Sequence, residues 1–252
     1  MMNTILRHAM FGAAALCLSV VSPRAHAADD DGWTWIVAPY LWAASISSDL
    51  NRTLPPFGSA SNDTSFDNII DKIDGAFQMH AEGQGDNFGV FADITYLSLS
   101  DSHDRTRFSS DTDLDNTLFE LAAVWNFGEG RYDGLDLFAG LRYIDSDLTV
   151  RLDPVNPDFN SVKLDPSETV NDFMIGARYT WELSDRWGVT VRGDTSFGDS
   201  DGTWNASIVG NYKMKHGAWL FGYRYLDISL KNNANKVDIT LNGVMVGYGF
   251  VF

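Results

Sequence analysis

The chain has 252 residues, with 18 Lys and Arg against 34 Asp and Glu, for a formal net charge of −16. A surplus of that sign excludes attachment to nucleic acid or to an anionic membrane surface by charge alone. The one cysteine, Cys17, excludes an intrachain disulfide framework, so a core or a membrane must hold the fold.

Residues 1–27 read as a secretory signal peptide. Arg7 gives a basic start, Ala9 to Val21 an apolar stretch, and Ala25-His26-Ala27 a cleavage site of the A-x-A type. Cys17 lies inside this leader, and Leu16 before it lacks the small side chain of a lipoprotein signal. Cleavage after Ala27 leaves residues 28–252 as one domain, and losing Arg7 and Arg24 takes the formal charge from −16 to −18. No later apolar run approaches the roughly 20 residues of a membrane-spanning helix. Any crossing would have to be made by strands.

Ten segments of period-two alternation follow: 33–46, 76–85, 88–99, 117–127, 135–147, 170–183, 187–197, 203–212, 218–229 and 237–252. Segment 117–127 sets Phe119, Leu121, Ala123, Trp125 and Phe127 on one face and Glu120 and Asn126 on the other. In 171–183, Phe173, Ile175, Ala177, Tyr179 and Trp181 oppose Asp172, Arg178, Thr180 and Glu182. Pro39 makes the first segment less regular. Connections alternate: 47–75, 100–116 and 148–169 read as long loops, whereas "GEGRYDG", "SDR" and "KMKHG" are tight turns. Short turns on one side and long loops on the other describe a transmembrane antiparallel up-and-down β-barrel of about ten strands, eight or twelve being the alternatives. Both termini then lie on the short-turn, periplasmic side.

Aromatic residues fall into two belts, as the two water interfaces of a bilayer select. Trp35, Trp125, Phe127, Trp181, Trp187, Trp219, Phe250 and Phe252 sit near the short-turn ends. Tyr96, Phe119, Tyr143, Phe173, Phe197, Trp204 and Tyr225 sit near the others. The C-terminal strand "VMVGYGFVF" resembles that of small bacterial outer-membrane β-barrel proteins, and the resemblance covers essentially all of 33–252. The opening "WTWIVAPYLWAA" is similar to the first strand of other proteobacterial barrels. The resemblance implies a Gram-negative outer membrane, and makes Tyr248, Phe250 and Phe252 the signal read by the barrel assembly machinery. Outer-membrane lipids and lipopolysaccharide are the other implied partners. The chain is read as a monomer without cofactor or metal.

Parity puts His80, Glu82, Asp93, Glu120, Asp136, Arg142, Arg178, Glu182, Arg192, Asp194 and Arg224 inside the barrel. A ten-stranded barrel is little wider than one whose side chains fill it, and confined charges need partners. Arginine forks pair bidentately with carboxylates, so a salt-bridge network closing the lumen is expected. A narrow, weakly cation-preferring pore is the alternative. The recurring "GLRY", "GARY" and "GYRY" place Gly140, Gly176 and Gly222 on the lumen face beside Arg142, Arg178 and Arg224, as if leaving room for each guanidinium.

His80 beside Glu82 reads as a satisfied interior histidine, because no serine partner for general-base chemistry is apparent. It also has the wrong parity for a lipid-facing hydrolase. His216 falls in a turn. Asp101, His103 and Asp104 loosely resemble the acid and histidine pairs of outer-membrane proteases, without the second acidic pair. The "DTDLD" run at 111–115 lacks the glycine and terminal glutamate of a calcium loop. Phe66, Ile69, Ile70 and Ile73 recur at helical spacing after Thr64 or Ser65, predicting a short helix against the barrel rim, with a lid over the lumen as the alternative. Together these features predict no enzyme but a structural barrel or narrow porin-like channel. A surface-binding protein using acidic loops comes second and a membrane-embedded hydrolase third.

Overall fold

The computed structural model describes residues 32–52, 60–104, 108–128, 130–154, 161–164, 167–232 and 235–252. The leader and its cleavage site lie outside these residues. The strands are β1 (Thr34–Arg52), β2 (Ala60–Thr64), β3 (Ile73–Gln84), β4 (Phe88–Asp104), β5 (Phe108–Asn126) and β6 (Gly134–Pro154). They continue with β7 (Val162–Leu164), β8 (Ser167–Glu182), β9 (Trp187–Gly198), β10 (Gly202–Met214), β11 (Gly217–Asn232) and β12 (Asn235–Val251). A helical turn, α1 (Phe66–Ile69), runs into a 3-10 turn at Ile70–Lys72. Ten strands make the barrel, each antiparallel to the next, and β12 closes it on β1; β2 and β7 pair only outer parts of β1 and β6. At the periplasmic end the closure is tied by Trp35 N to Phe252 O at 3.1 Å and Phe252 N to Trp35 O at 2.9 Å.

Alternation explains the wall. Leu121, Trp125, Leu137, Leu141, Phe173, Trp181, Ile208, Phe221, Val244 and Phe250 are all between 45% and 63% exposed on the outer face. A surface so apolar requires hydrocarbon around it. Both belts are present, and neighbouring rings touch: Trp187–Tyr212 at 4.9 Å and Trp219–Tyr248 at 5.3 Å below, Phe173–Phe197 at 5.7 Å and Trp204–Tyr225 at 4.6 Å above. Among the described residues no helix is long and apolar enough to span a membrane.

Two of the expected long loops are largely strand. β4 and β5 stay in register from Leu99↔Leu114 up to Asp104↔Ser109, and β5 and β6 up to Phe108↔Pro154. In β4 and β5 these stretches have polar residues on both faces, so the period-two signal fades where lipid ends although ladder hydrogen bonds continue; in β6 Leu148, Val150 and Leu152 still alternate with Thr149, Arg151 and Asp153. A spanning strand needs about 9–11 residues, and β5 and β6 have 19 and 21. The β4–β6 side therefore projects past the membrane, while β9 and β10, with 12 and 13 residues, stop near it.

The helical turn is a lid rather than a rim contact. Ile69 is 3% exposed and lines the same apolar space as Trp42, Leu118, Ile144 and Ile228 inside the barrel. Its entry is at Ser65, whose Oγ accepts from Asn68 Nδ2 at 3.1 Å. The side chain of Thr64 lies outside the described residues.

Candidate functional site in the barrel lumen

The lumen is stacked in three layers. The outermost is apolar: Trp42 on β1, Leu118 on β5, Ile144 on β6, Val170 on β8, and Leu226 and Ile228 on β11 pack together, each less than 5% exposed. A second apolar group lower on the wall joins Phe91, Ala122, Val124, Phe138 and Met174.

The middle layer is a septum of charge centred on Glu120. Arg142 donates to Glu120 Oε1 from Nη2 at 2.6 Å and from Nε at 3.0 Å. It also donates to Asp194, to Thr203 Oγ1 at 2.6 Å and, at 3.4 Å each, to Ser196 Oγ and Met174 Sδ. Arg192 reaches Glu120 Oε2 at 2.9 Å and Asp194 Oδ2 at 2.7 Å, its guanidinium lying over Phe138 at 4.9 Å and Phe91 at 5.1 Å. Arg224 donates to Glu120 Oε1 at 3.1 Å and Asn205 Oδ1 at 2.9 Å, and sits 5.0 Å from the Trp42 ring. Asp93 faces Arg224 Nη1 at 3.7 Å and accepts from Tyr40 OH at 2.8 Å. One carboxylate thus answers three guanidiniums supplied by β6, β9 and β11. Desolvating so many charges costs as much as their attraction returns, so the network chiefly specifies which groups meet.

A second tier lies toward the periplasm. Arg178 forks onto Glu82, with Nη1 to Oε2 at 2.7 Å, and its Nε donates to Asp136 Oδ2 at 2.7 Å. Gln84 Nε2 and Asn126 Nδ2 complete these acids at 3.1 Å to Glu82 Oε1 and 2.6 Å to Asp136 Oδ1. His80 links the tiers, Nδ1 lying 3.1 Å from Asp93 Oδ2 and Nε2 3.1 Å from Glu82 Oε2. Carboxylates only accept, so these contacts are fully satisfied when both ring nitrogens carry a proton. With both nitrogens occupied, neither is left to activate a nucleophile.

Beside this tier a cavity of about 500 Å³ opens to the periplasm and rises to the septum, where Asp93, Arg192 and Arg224 line it. One wall is charged, with His80, Glu82, Arg178 and Arg192; the facing wall, from β11 through β12 to β1, carries Ala218, Leu220, Met245 and Ile36. The β5–β6 turn folds under the mouth. Tyr132 there has φ of 60°, a left-handed conformation uncommon outside glycine. Its N–H donates to Gln84 Oε1 at 2.7 Å and its OH to Thr34 O at 2.6 Å. Burial pushes this phenol well above its ordinary range, with the Glu82 charge adding to the effect, so it stays a donor.

Ten of the eleven residues placed inside by parity belong to these two tiers. Glu182 does not: it is exposed at the periplasmic mouth and pairs with Lys213 there. Strand ends fray into water, where parity no longer means enclosure. The glycines of the three repeats also act otherwise than expected. A Cβ on Gly140 would meet Leu121 O at 1.9 Å, one on Gly176 the Phe138 ring at 2.4 Å, and one on Gly222 Ile208 O at 2.5 Å. Their space is taken by neighbouring strands and packed rings, not by guanidiniums.

Several participants escaped the sequence reading. Tyr40 and Trp42 share the lumen face of β1, a parity that Pro39 obscured. Asn205 and Thr203 alternate with exposed Trp204 and were legible by that rule. Tyr132 carried no signal, since its role comes from the path of a turn. Asp101 pairs with Lys72 at 2.6 Å, while the side chains of His103 and Asp104 lie outside the described residues. His216 is exposed in its turn. Among the described residues no three metal-ligating side chains converge.

No protein-family model matches the chain, and no curated relative does. Solved structures do match. The outer membrane protease OmpT of Escherichia coli has a TM-score of 0.51 at 8% identity, over 88% of this chain and 97% of that one. Ail, the attachment invasion locus protein of Yersinia pestis, has a TM-score of 0.39 at 10% identity, over 88% and 99%. OprG of Pseudomonas aeruginosa has a TM-score of 0.35 at 13% identity, over 88% and 96%. Likeness at this identity concerns the fold. Taken with the closed ladder, the apolar outer face and the two aromatic belts, it makes this chain a ten-stranded β-barrel protein of the bacterial outer membrane.

Proposed function

We propose that the protein is a non-conducting barrel with a structural role in the outer membrane. The observation that carries this reading is Glu120, 0% exposed and bound by Arg142, Arg192 and Arg224 from three strands. An ion crossing the lumen would have to part these pairs and then pass the apolar layer above them. Such a barrel works as a monomer among outer-membrane lipids and lipopolysaccharide, and Tyr248, Phe250 and Phe252 serve its assembly. The test is conductance of the purified chain in planar bilayers. No unitary steps are expected, and steps that shift with Arg192→Ala would overturn the reading in favour of a narrow channel.

A surface-binding role has its own supporting observation. Asp111, Asp113 and Asp115 are exposed on the projecting part of β5, and Asp147 lies directly opposite Asp115. Charge held clear of the membrane suits a basic partner. Adhesion of cells to a polycationic surface, compared with cells bearing Asp111→Asn, Asp113→Asn and Asp115→Asn together, tests it; equal adhesion rejects it.

A further inference from the structure

The wall is interrupted on one side of β1. Thr34 to Pro39 pair with β3, ending at Pro39↔Met79, and Ile46 to Leu50 pair with β2. Between them Tyr40 to Ser45 are laddered only to β12, and across the gap Ile73 to Gln78 only to β4. The break begins at Pro39, which brings no N–H to a ladder. At about 3.3 Å per residue the seam is roughly 20 Å long. Gln78 partly bridges it, its Oε1 accepting from Trp42 N in place of a strand carbonyl. Phe66 N, donating to Ser45 Oγ at 3.1 Å, holds the helical lid over its upper end.

The apolar space under the lid borders this seam on both sides, at Leu41 and Trp42 of β1 and at Ala76 and Gln78 of β3. Successive residues of a strand face opposite sides of the wall. The lining of one cavity includes both Trp42, 4% exposed inside, and Leu41, 48% exposed on the lipid face, and they meet it on the stretch of β1 that has no strand partner on that side. Ala76, exposed on β3, lines the far side of the gap.

The chemistry of the space selects its occupant. Water needs two to four polar partners, whereas this lining is mainly apolar, with Leu118, Ile144 and Leu226 alongside Trp42, whose Nε1–H is buried without a partner. Of its polar members Gln78, Thr95 and Asn116, Gln78 Oε1 and Thr95 Oγ1 are already engaged by Trp42 N and Tyr40 OH. The volume is about 50 Å³, well below the ~150 Å³ of a cavity that takes up benzene. A ring is too large and an extended chain end is not. We propose that the end of an acyl chain from an outer-leaflet lipid enters the lumen between β1 and β3 and lodges against Trp42. This site is independent of whether the septum conducts.

The test uses the full chain in nanodiscs of a phosphatidylcholine bearing a diazirine at the terminal carbon of one acyl chain. After irradiation, adducts are expected on lumen-side Trp42 and Ile228 as well as on lipid-facing Leu41. Ala76→Trp should fill the seam and abolish the lumen-side adducts while Leu41 stays labelled. If that variant does not fold, Leu97→Trp fills the space from β4. Adducts confined to outward residues in the unsubstituted chain would overturn the proposal, as would lumen-side adducts that persist in the blocked variant. The same diazirine on a free fatty acid separates the two sources: lumen labelling by the free acid alone would rule out the lipid.

Discussion

Arg142 and Glu120 stand directly opposite on paired β6 and β5, and both side chains are completely buried. They hold each other through two hydrogen bonds, while the same carboxylate carries Arg192 and Arg224.

Removing one partner of such a buried pair costs about 3–5 kcal/mol, because the other charge is left without compensation. Glu120→Ala would leave three guanidiniums around one hole. Its heat-induced gel shift in detergent should occur at a clearly lower temperature than that of the unsubstituted chain, with Glu120→Gln between them. An unchanged midpoint would mean that water reaches even Arg142, the one guanidinium fully enclosed, and that the septum is open.

Arg178 provides a graded comparison. It is 12% exposed beside the periplasmic cavity, whereas Arg142 is fully enclosed. After Arg178→Leu, water can enter to solvate Glu82 and Asp136, so a loss of roughly 1–3 kcal/mol is expected. Arg142→Leu has no such relief and should lose roughly 3–5 kcal/mol. Urea unfolding in lipid vesicles, followed by tryptophan fluorescence, ranks the two; the reverse order would contradict the layering of the lumen.

Tyr132 holds the turn beneath the cavity through its hydroxyl, 2.6 Å from Thr34 O. Tyr132→Phe deletes that bond, a net contribution of about 1 kcal/mol, and should loosen the turn. A reporter cysteine introduced by Thr180→Cys should then react faster with a charged methanethiosulfonate. An equal rate in both backgrounds would assign the turn no part in access.

Phe252 has a backbone role and a side-chain role that can be separated. Deleting it removes both hydrogen bonds to Trp35, so refolding into detergent should suffer without any helper. Phe252→Ala keeps those bonds. It should refold normally in detergent yet insert poorly in cells if the ring is read during assembly. Poor refolding of Phe252→Ala in detergent would instead make the ring a packing element.

How far the molecule could be read from its residues depends on what makes a residue's facing visible. Arg142, Arg178, Arg192 and Arg224 were found because a charge between lipid-facing apolar neighbours has only one place to go. Leu118, Ile144, Val170, Met174 and Leu226 were passed over by the same rule. Inside an enclosed barrel an apolar side chain is as acceptable as one facing lipid, so their parity carries no contrast. The upper parts of β4 and β5 were invisible for the opposite reason, since water on both faces removes the alternation while hydrogen bonding goes on, whereas in β6 the alternation of Leu148, Val150 and Leu152 with Thr149, Arg151 and Asp153 was there to be read. The seam beside β1 left one mark, Pro39, which reads as an irregular strand until the registers of β2 and β3 are known.

The bonds between Trp35 and Phe252 also set an order of events. Apart from β1 with β12, every barrel strand is laddered to the next barrel strand along the chain, most of them as hairpins and β1–β3 and β6–β8 across longer connections. β1 and β12 are brought together from nearly opposite ends of the domain. Loop-closure entropy and high sequence separation make that contact slow. Until it forms, β1 and β12 are bare edges able to pair with another chain. The interval before closure is when this protein is most exposed to aggregation, and the last strand made is the one that ends it.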